Sequence, residues 1–241
     1  MTTAMFPLGM VLLPHMPLPL RLFERRYLVM LGRLLDEDEP EFGVVLIERG
    51  RESGDQDGQT RFDIGTMARI THVAAGEDDV QLLARGTRRV EVVEWLPDDP
   101  YPQAIVRELP DLEWDEELRE LHERAEQVVR RFRSRVSEFA ELGAGADVEL
   151  DDDPVASAWQ LAGIAPIGPL DQQRLLRSAT LRELLSRLIE AVEEASQVLG
   201  ATTADAMDDE LAELLGESED DADDGDDGAA DEDQDEDGSD R

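Results

Sequence analysis

The sequence predicts an α+β fold in which a β-rich first half containing one helix precedes a helical second half. Residues 42–109 hold short runs rich in Val, Ile and Thr between Gly- and Pro-containing turns, a pattern typical of strands. Residues 115–200 repeat apolar residues at helical spacing, which indicates amphipathic helices. We therefore expect a β-rich subdomain at 1–110, a helical subdomain at 115–200 and an acidic, disordered tail at 205–241.

The N-terminal segment is apolar but contains four prolines, at positions 7, 14, 17 and 19. A membrane helix needs about 20 apolar residues without repeated breaks, and a secretory signal has basic residues before its apolar core. Here the first basic residue, Arg21, follows the apolar run. We interpret residues 4–20 as short, kinked strands at the rim of a barrel, and we expect a cytoplasmic protein.

The remaining elements of the first half follow from periodicity. A stripe of Leu and aromatic residues predicts a helix at 23–35. Four later segments read as strands, and Gly86 within the third is a predicted bulge. These strands are expected at 42–49, 62–73, 80–95 and 103–109.

The second half predicts three helices and a turn. Apolar residues from Leu118 to Phe139 recur every three or four positions, which predicts a helix at 115–142 that ends at Gly143. Asp153-Pro154 is typical of a helix start, and this helix should stop near Pro166. A turn is expected at 171–177, and the capping box at 180–183 predicts a last helix ending at Gly200.

The tail is strongly acidic. Residues 205–241 contain 20 acidic residues and one basic residue, within a chain whose net charge is −36. Such a segment buries too little apolar surface to offset the entropy of ordering, although residues 208–216 could form a transient amphipathic turn. Because the body is acidic as well, we expect neither nucleic acid nor anionic membrane surfaces as partners.

The composition excludes several kinds of catalytic site. The chain has no Cys and no Lys, since all 23 basic residues are Arg, so thiolate and lysine nucleophiles are impossible. The three histidines, His15, His72 and His122, fall on different predicted elements and lack metal-ligand spacing. We predict no catalytic residue, no metal and no cofactor.

The concentration of methionines near the N-terminus indicates binding rather than catalysis. Met10, Met16 and Met67 lie, like Met5 and Met30, in the first 70 residues. Methionine side chains adapt to varied partners, and Met-rich surfaces suit peptide binding. These three residues are therefore candidate peptide-binding residues, and core filling is the alternative for each of them.

Several motifs together resemble the N-terminal substrate-binding domain of the Lon protease family. The resemblance covers roughly residues 4–200 and rests on the order of its motifs; in one of them Arg25 stands where family members often carry Pro. The matching motifs are Phe6-Pro7-Leu8, Val11-Leu12-Leu13-Pro14, Pro19-Leu20, Phe23-Glu24-Arg25-Arg26-Tyr27, Gly65-Thr66-Met67-Ala68-Arg69-Ile70, Gly86-Thr87-Arg88-Arg89-Val90, Leu161-Ala162 and Gln173-Arg174-Leu175-Leu176.

The resemblance implies a PUA-like pseudo-barrel followed by a helical bundle, without the ATPase and peptidase modules. It implies recognition of polypeptides rather than catalysis, and we add Phe23, Arg26 and Tyr27 to the candidate peptide-binding residues. The leading hypothesis is a non-enzymatic module that binds unfolded polypeptides or a partner protein, as an adaptor in protein quality control.

Two alternatives remain open at this point. PUA-like folds include RNA-binding proteins, and four arginines at 130–135 are the feature that would support nucleic-acid binding. A small-molecule enzyme could use Glu24 or Arg26 in a cleft at the barrel edge. A buried ion pair between Glu24 and Arg26 with no cavity beside it would favour a structural role for both.

Overall fold

The computed structural model describes residues 2–52, 58–76, 79–140 and 149–216. Its strands are β1 (Thr2–Leu8), β2 (Pro17–Leu22), β3 (Glu41–Arg49), β4 (Thr60–Ala75), β5 (Val80–Leu96) and β6 (Gln103–Glu108). Its helices are α1 (Arg25–Leu34), α2 (Arg119–Ala140), α3 (Pro154–Ile164), α4 (Pro169–Leu176) and α5 (Leu181–Gly216). The predicted α+β class and the order of strands and helices are confirmed.

The six strands form one sheet in the order β2-β5-β4-β3-β1-β6. The long strand β5 also pairs with β6 through its second half, so five strands close into a barrel. β1 runs parallel to β3, and the other pairings are antiparallel. Strand β2 pairs with the first half of β5 alone and extends the sheet beyond the barrel.

The free edge of β2 carries two prolines. Met16, just before the strand, accepts a hydrogen bond from the backbone N–H of Gly86 on β5, at 2.9 Å. Since backbone groups alternate in direction along a strand, even-numbered residues of β2 face β5 and odd-numbered residues face outward. Pro17 and Pro19 therefore stand at outward-facing positions, where neither has an N–H to present.

One core cluster lies between the sheet and α1. Phe6 stacks on Tyr27 with ring centroids 4.0 Å apart, and Met30, Leu18 and Leu82 are buried beside them. This packing explains the helix, because its apolar stripe covers one face of the sheet. A smaller cluster of Met5, Val45 and Ala104 fills the other part of the barrel.

Residues 9–16 cross the barrel as an irregular segment held by backbone contacts. His15 N–H donates to Gly86 O at 2.8 Å, and the buried Thr66 hydroxyl donates to Leu12 O at 2.6 Å. The segment lies so close to β5 that a Cβ on Gly86 would stand 2.3 Å from Leu13 O. The predicted bulge is confirmed. Immediately after Gly86, two residues of β5, Thr87 and Arg88, stand opposite a single residue of β4, Met67.

Arg89 joins the barrel to the helices. This residue of β5 is 5% exposed, and its guanidinium donates to the carbonyl oxygens of Leu176 (3.1 Å), Ser178 (2.5 Å) and Pro110 (2.6 Å). It also lies 5.4 Å from the ring centroid of Trp159 on α3. Burial lowers the pKa of Arg89. The β-rich and helical halves belong to one compact unit that extends to Gln197.

The helix starts follow the predicted capping chemistry. The Asp153 carboxylate accepts the Ala156 N–H at 2.8 Å, and the Thr180 hydroxyl accepts the Glu183 N–H at 3.2 Å. The predicted turn at 171–177 is instead a helix, α4, because Pro169 starts it two residues earlier. The predicted end of α2 at Gly143 lies outside the described residues.

The predicted end of the last helix at Gly200 is wrong, because α5 continues to Gly216. Residues 201–216 are rich in Ala, Leu, Met and Glu, the strongest helix formers, and a single Gly costs only about 1 kcal/mol in a helix interior. Residues 205–216, placed in the tail from the sequence, are thus helical. The rest of the predicted tail, 217–241, lies outside the described residues.

Candidate polypeptide-binding surface

The exposed face of the β2-β5-β4 sheet is the candidate binding surface, and we call it the outer face. Side chains alternate along β2 and β5, so that every second residue faces away from α1, and on β4 a bulge between Ile70 and His72 shifts the alternation by one residue. Three cross-strand rows make up the outer face. They are Pro17, Arg85 and Arg69; Pro19, Leu83 and His72; and Arg21, Gln81 and Ala74.

The middle of the outer face is apolar. Leu83 is 39% exposed although its neighbours on β5, Leu82 and Ala84, are buried against α1. It lies between Pro19 and His72 in an open cleft of about 740 Å³. Large side chains exposed in a concave surface are typical of protein-binding sites. This region can therefore cover apolar side chains of a ligand.

The two ends of the outer face differ in charge. At one end the Arg21 guanidinium is paired with Asp79, with Nε 2.6 Å from the carboxylate. At the other end Arg69 and Arg85 stand directly opposite each other on neighbouring strands. Arg69 contacts Glu39 at 3.2 Å, whereas Arg85 forms no ion pair with any residue that the structure describes.

The arginine end opens into a second cleft, of about 580 Å³, between the barrel and α3. His15, Asp111, Asp153 and Trp159 line it together with four arginines of β4 and β5. Three of these are already engaged, and Arg69 contacts Glu39 as stated above. Arg89 donates to backbone carbonyls as described above, and Arg88 binds Glu41 at 2.8 Å and Glu108 at 2.6 Å.

The contact of Arg88 with Glu41 and Glu108 shifts the pKa values of Arg88 and Glu41. The hydrogen bonds from Arg88 lower the pKa of Glu41, and the two carboxylates raise the pKa of Arg88. The positive charge of Arg88 is thus offset by these carboxylates. Unpaired positive charge in the second cleft therefore comes chiefly from Arg85.

The pKa of His15 is sensitive to that charge. Its backbone is left-handed, with φ 63°, which holds the ring in the second cleft. Burial and then the positive charge of Arg85 lower the pKa of His15, against the opposing effect of Asp151, Asp153 and Asp111. The imidazole is thus held in its neutral form beside the arginines.

We expect Arg85→Gln to raise the pKa of His15, because the substitution removes a positive charge while burial of the ring is unchanged. The measurement is an NMR titration of the histidine side chains. His122 is an internal control, since its pKa is lowered by burial without an arginine contribution. An unchanged titration of His15 would show that Arg85 does not act on the second cleft.

The six residues predicted for peptide binding lie in different places. Met10 (50% exposed) and Phe23 (63% exposed) are on the surface. Met16 is partly buried and packs against α3, where a Cβ on Gly163 would stand 2.5 Å from its sulfur. Tyr27 and Met67 are core residues, at 3% and 2% exposure. The structure does not gather these five residues into one surface.

The sixth, Arg26, forms a local ion pair. Its guanidinium lies 2.7 Å from the Glu24 carboxylate and 4.7 Å from the Tyr27 ring centroid. Both charged side chains are largely buried, at 17% and 22% exposure, and neither lines the two clefts of the outer face. This arrangement favours the structural role of Glu24 and Arg26 over a small-molecule site.

The arginines at 130–135 are partly engaged by neighbours. Arg130 contacts Glu126 at 2.8 Å, and Arg135 donates to the Ser196 hydroxyl at 3.0 Å. Among the described residues, no group of three or more acidic or His side chains is arranged to hold a metal ion. In the same part of the chain, no helix has the length and apolar character needed to cross a membrane.

Comparison with known proteins places the chain in a family. A family model described as the ATP-dependent protease La (LON) substrate-binding domain matches residues 2–194. The chain belongs to the LON substrate-binding domain family. The resemblance identified from the sequence motifs is thereby confirmed.

Full-length relatives of this LON domain are much longer than the chain. Lon protease of Phenylobacterium zucineum is 25% identical over 82% of this chain, and Lon protease of Anaeromyxobacter dehalogenans is 25% identical over 78%. The matches cover 25% and 22% of those proteins, so the chain spans about a quarter of their length.

Solved LON structures share the fold. A Lon N-terminal domain protein from Xanthomonas campestris aligns with a TM-score of 0.53 and 26% identity, over 79% of this chain and 98% of that one. The N-terminal domain of Mycobacterium avium complex Lon protease aligns with a TM-score of 0.57 and 17% identity, over 80% of this chain and 98% of that one. The expected barrel-plus-helices fold of the LON domain is confirmed.

Leu83, His72 and Arg85 of the outer face were not among the predicted site residues. One signal in the LON sequence did point to Leu83. In the stretch VQLLARG, Leu82 and Leu83 are adjacent, so one of the two must break the alternation of buried and exposed positions. The pairing partners that complete the surface depend on strand register and are not readable from sequence.

Proposed function

We propose that this chain is a non-catalytic module that binds extended, apolar polypeptide segments on its outer face. The observation that carries the proposal is the exposed Leu83 between Pro19 and His72 in an open cleft. Membership of a substrate-binding domain family supports a polypeptide ligand. In the cell, the module would act as an adaptor that holds such segments for a separate quality-control machine.

The dimensions of the outer face suit an extended chain. Along β2 and β5 its three rows are separated by two residues each, or about 7 Å. The face therefore spans about 14 Å, the length of roughly four extended residues. A contact of this size supports weak, sequence-tolerant binding, which suits ligands that share only an unfolded state.

The test uses reduced, carboxyamidomethylated α-lactalbumin as an unfolded probe and native α-lactalbumin as its folded counterpart. We expect the full chain to bind the unfolded probe in fluorescence anisotropy and not the native protein. Leu83→Ser should weaken binding about fivefold, since covering the exposed part of one Leu side chain contributes on the order of 1 kcal/mol.

Val93→Ser is the matched control. Val93 lies on the same strand, is 61% exposed and stands outside the outer face, so its replacement should leave binding unchanged. Thermal unfolding of both variants checks that the fold is intact. Equal binding of native and unfolded α-lactalbumin, or an equal loss in the two variants, would contradict the proposal.

A further inference from the structure

We propose that the polypeptide segments bound on the outer face carry a carboxylate two residues away from the apolar side chain that covers Leu83, and that Arg85 binds this carboxylate. The inference rests on the proposed function and names the ligand class of the same surface. It is carried by the charge and spacing of Arg85, which the apolar contact alone does not explain.

The first argument is that Arg85 lacks a counter-charge. Two other exposed strand arginines are paired with carboxylates, Arg21 with Asp79 and Arg107 with Glu91, whereas Arg49, away from the outer face, is not. Arg85 is exposed and has no such partner among the described residues, in a chain with a net charge of −36. Intramolecular pairing is thus incomplete at this one row of the outer face.

The second argument is the placement of Arg69 directly across from Arg85. Like charges at opposed positions of neighbouring strands destabilise a sheet. Glu39 offsets part of this repulsion through Arg69, at 3.2 Å, but does not reach Arg85. A ligand carboxylate at Arg85 would relieve the remaining repulsion, so the free protein favours binding of an acidic group.

The acidic residues of the adjoining cleft do not remove this preference. The Asp153 carboxylate is held by the N–H of Ala156, at the start of α3. Asp111 acts on the buried Arg89, whose pKa it raises against the effect of burial. Asp153 precedes α3 and Asp111 lies in the segment after β6, whereas Arg85 projects from the exposed face of β5.

The spacing defines the ligand pattern. Arg85 and Leu83 lie two residues apart on the same face of β5, at a separation of about 7 Å. In an extended ligand, residues i and i+2 also project from one face with the same separation. A Glu or Asp two positions from a large apolar residue therefore matches the surface.

The test uses two fluorescein-labelled nine-residue peptides of Gly, Ser and Thr that contain one Leu, with Glu or with Gln two positions before it. We expect the full chain to bind the Glu peptide about three- to fivefold more tightly at low ionic strength, with the difference fading as salt rises. Arg85→Glu should reverse the preference, and Arg85→Lys should keep part of it.

Arg49→Glu is the control with the same charge change. Arg49 is an exposed strand arginine away from the outer face that forms no ion pair with the described residues. Equal binding of the two peptides, no binding of either, or the same response in Arg49→Glu would overturn the inference. In those cases the proposed function still stands if unfolded α-lactalbumin binds to the full chain and Leu83→Ser weakens that binding.

Self-association is a separate outcome. Sedimentation of the full chain would reveal it as a mass that rises with protein concentration. If Arg85→Glu abolished such a rise, Arg85 would belong to a contact between two copies of the chain, and the peptide carboxylate would be overturned as its partner.

Discussion

Replacing Arg89 with methionine is expected to destabilise the protein by about 3 kcal/mol or more. Hydrogen bonds from a charged donor contribute about 1.5–3 kcal/mol each, and the buried guanidinium of Arg89 makes three, to Leu176, Ser178 and Pro110. Methionine has similar length but no donor. For a protein of this size the change corresponds to a fall in Tm of roughly 6–12 °C, measurable by circular dichroism.

Two further variants separate the role of the charge from that of the geometry. Arg89→Lys should also destabilise, though less than Arg89→Met, because one ammonium group cannot span the carbonyl groups that the planar guanidinium reaches. Arg85→Met is the matched control on the same strand, and we expect it to change stability by less than about 0.5 kcal/mol. An Arg89→Met variant that melted like the unaltered protein would contradict the assigned role.

Gly86→Ala is expected to destabilise by about 1–3 kcal/mol, the usual range for overpacking. The added Cβ would lie 2.3 Å from Leu13 O, a backbone atom that can move only if residues 9–16 shift. That movement would break the hydrogen bonds that Gly86 makes with His15 and Met16. The free energy of unfolding in urea is the measurement.

A Gly→Ala substitution in α1 should instead increase the free energy of unfolding. A Cβ on Gly32 would meet nothing within 4 Å, and Ala is about 0.5–1 kcal/mol better than Gly inside a helix. Gly32→Ala should therefore stabilise. If both variants changed stability in the same direction, the close approach at Gly86 would not be what requires glycine there.

Local signals in the sequence predicted most elements correctly. The Asp153-Pro154 start of α3, the capping box before α5 and the bulge at Gly86 are decided by a few neighbouring residues. The predicted end of α5 at Gly200 is wrong, because one glycine does not stop this helix. There the helix formers on both sides outweigh the cost of one glycine.

The candidate site was harder to predict, because residue type does not determine which face is exposed. Met67 is a candidate for the binding surface by residue type, yet Gly65 to Ala68 are all buried. Residues 9–16 cover the other side of the strand there, through the bond from Thr66 to Leu12. Contacts between segments more than 50 positions apart leave no periodic trace in the sequence.

The prolines at the free edge of β2 have a consequence for the behaviour of the protein in concentrated solution. An unpaired strand edge is a template for edge-to-edge aggregation, and a binder of unfolded chains meets such chains constantly. Without N–H groups at Pro17 and Pro19, this edge cannot donate the ladder of hydrogen bonds that an incoming strand requires. If the outer face binds unfolded polypeptides as proposed, it can do so without seeding cross-β growth at its own margin.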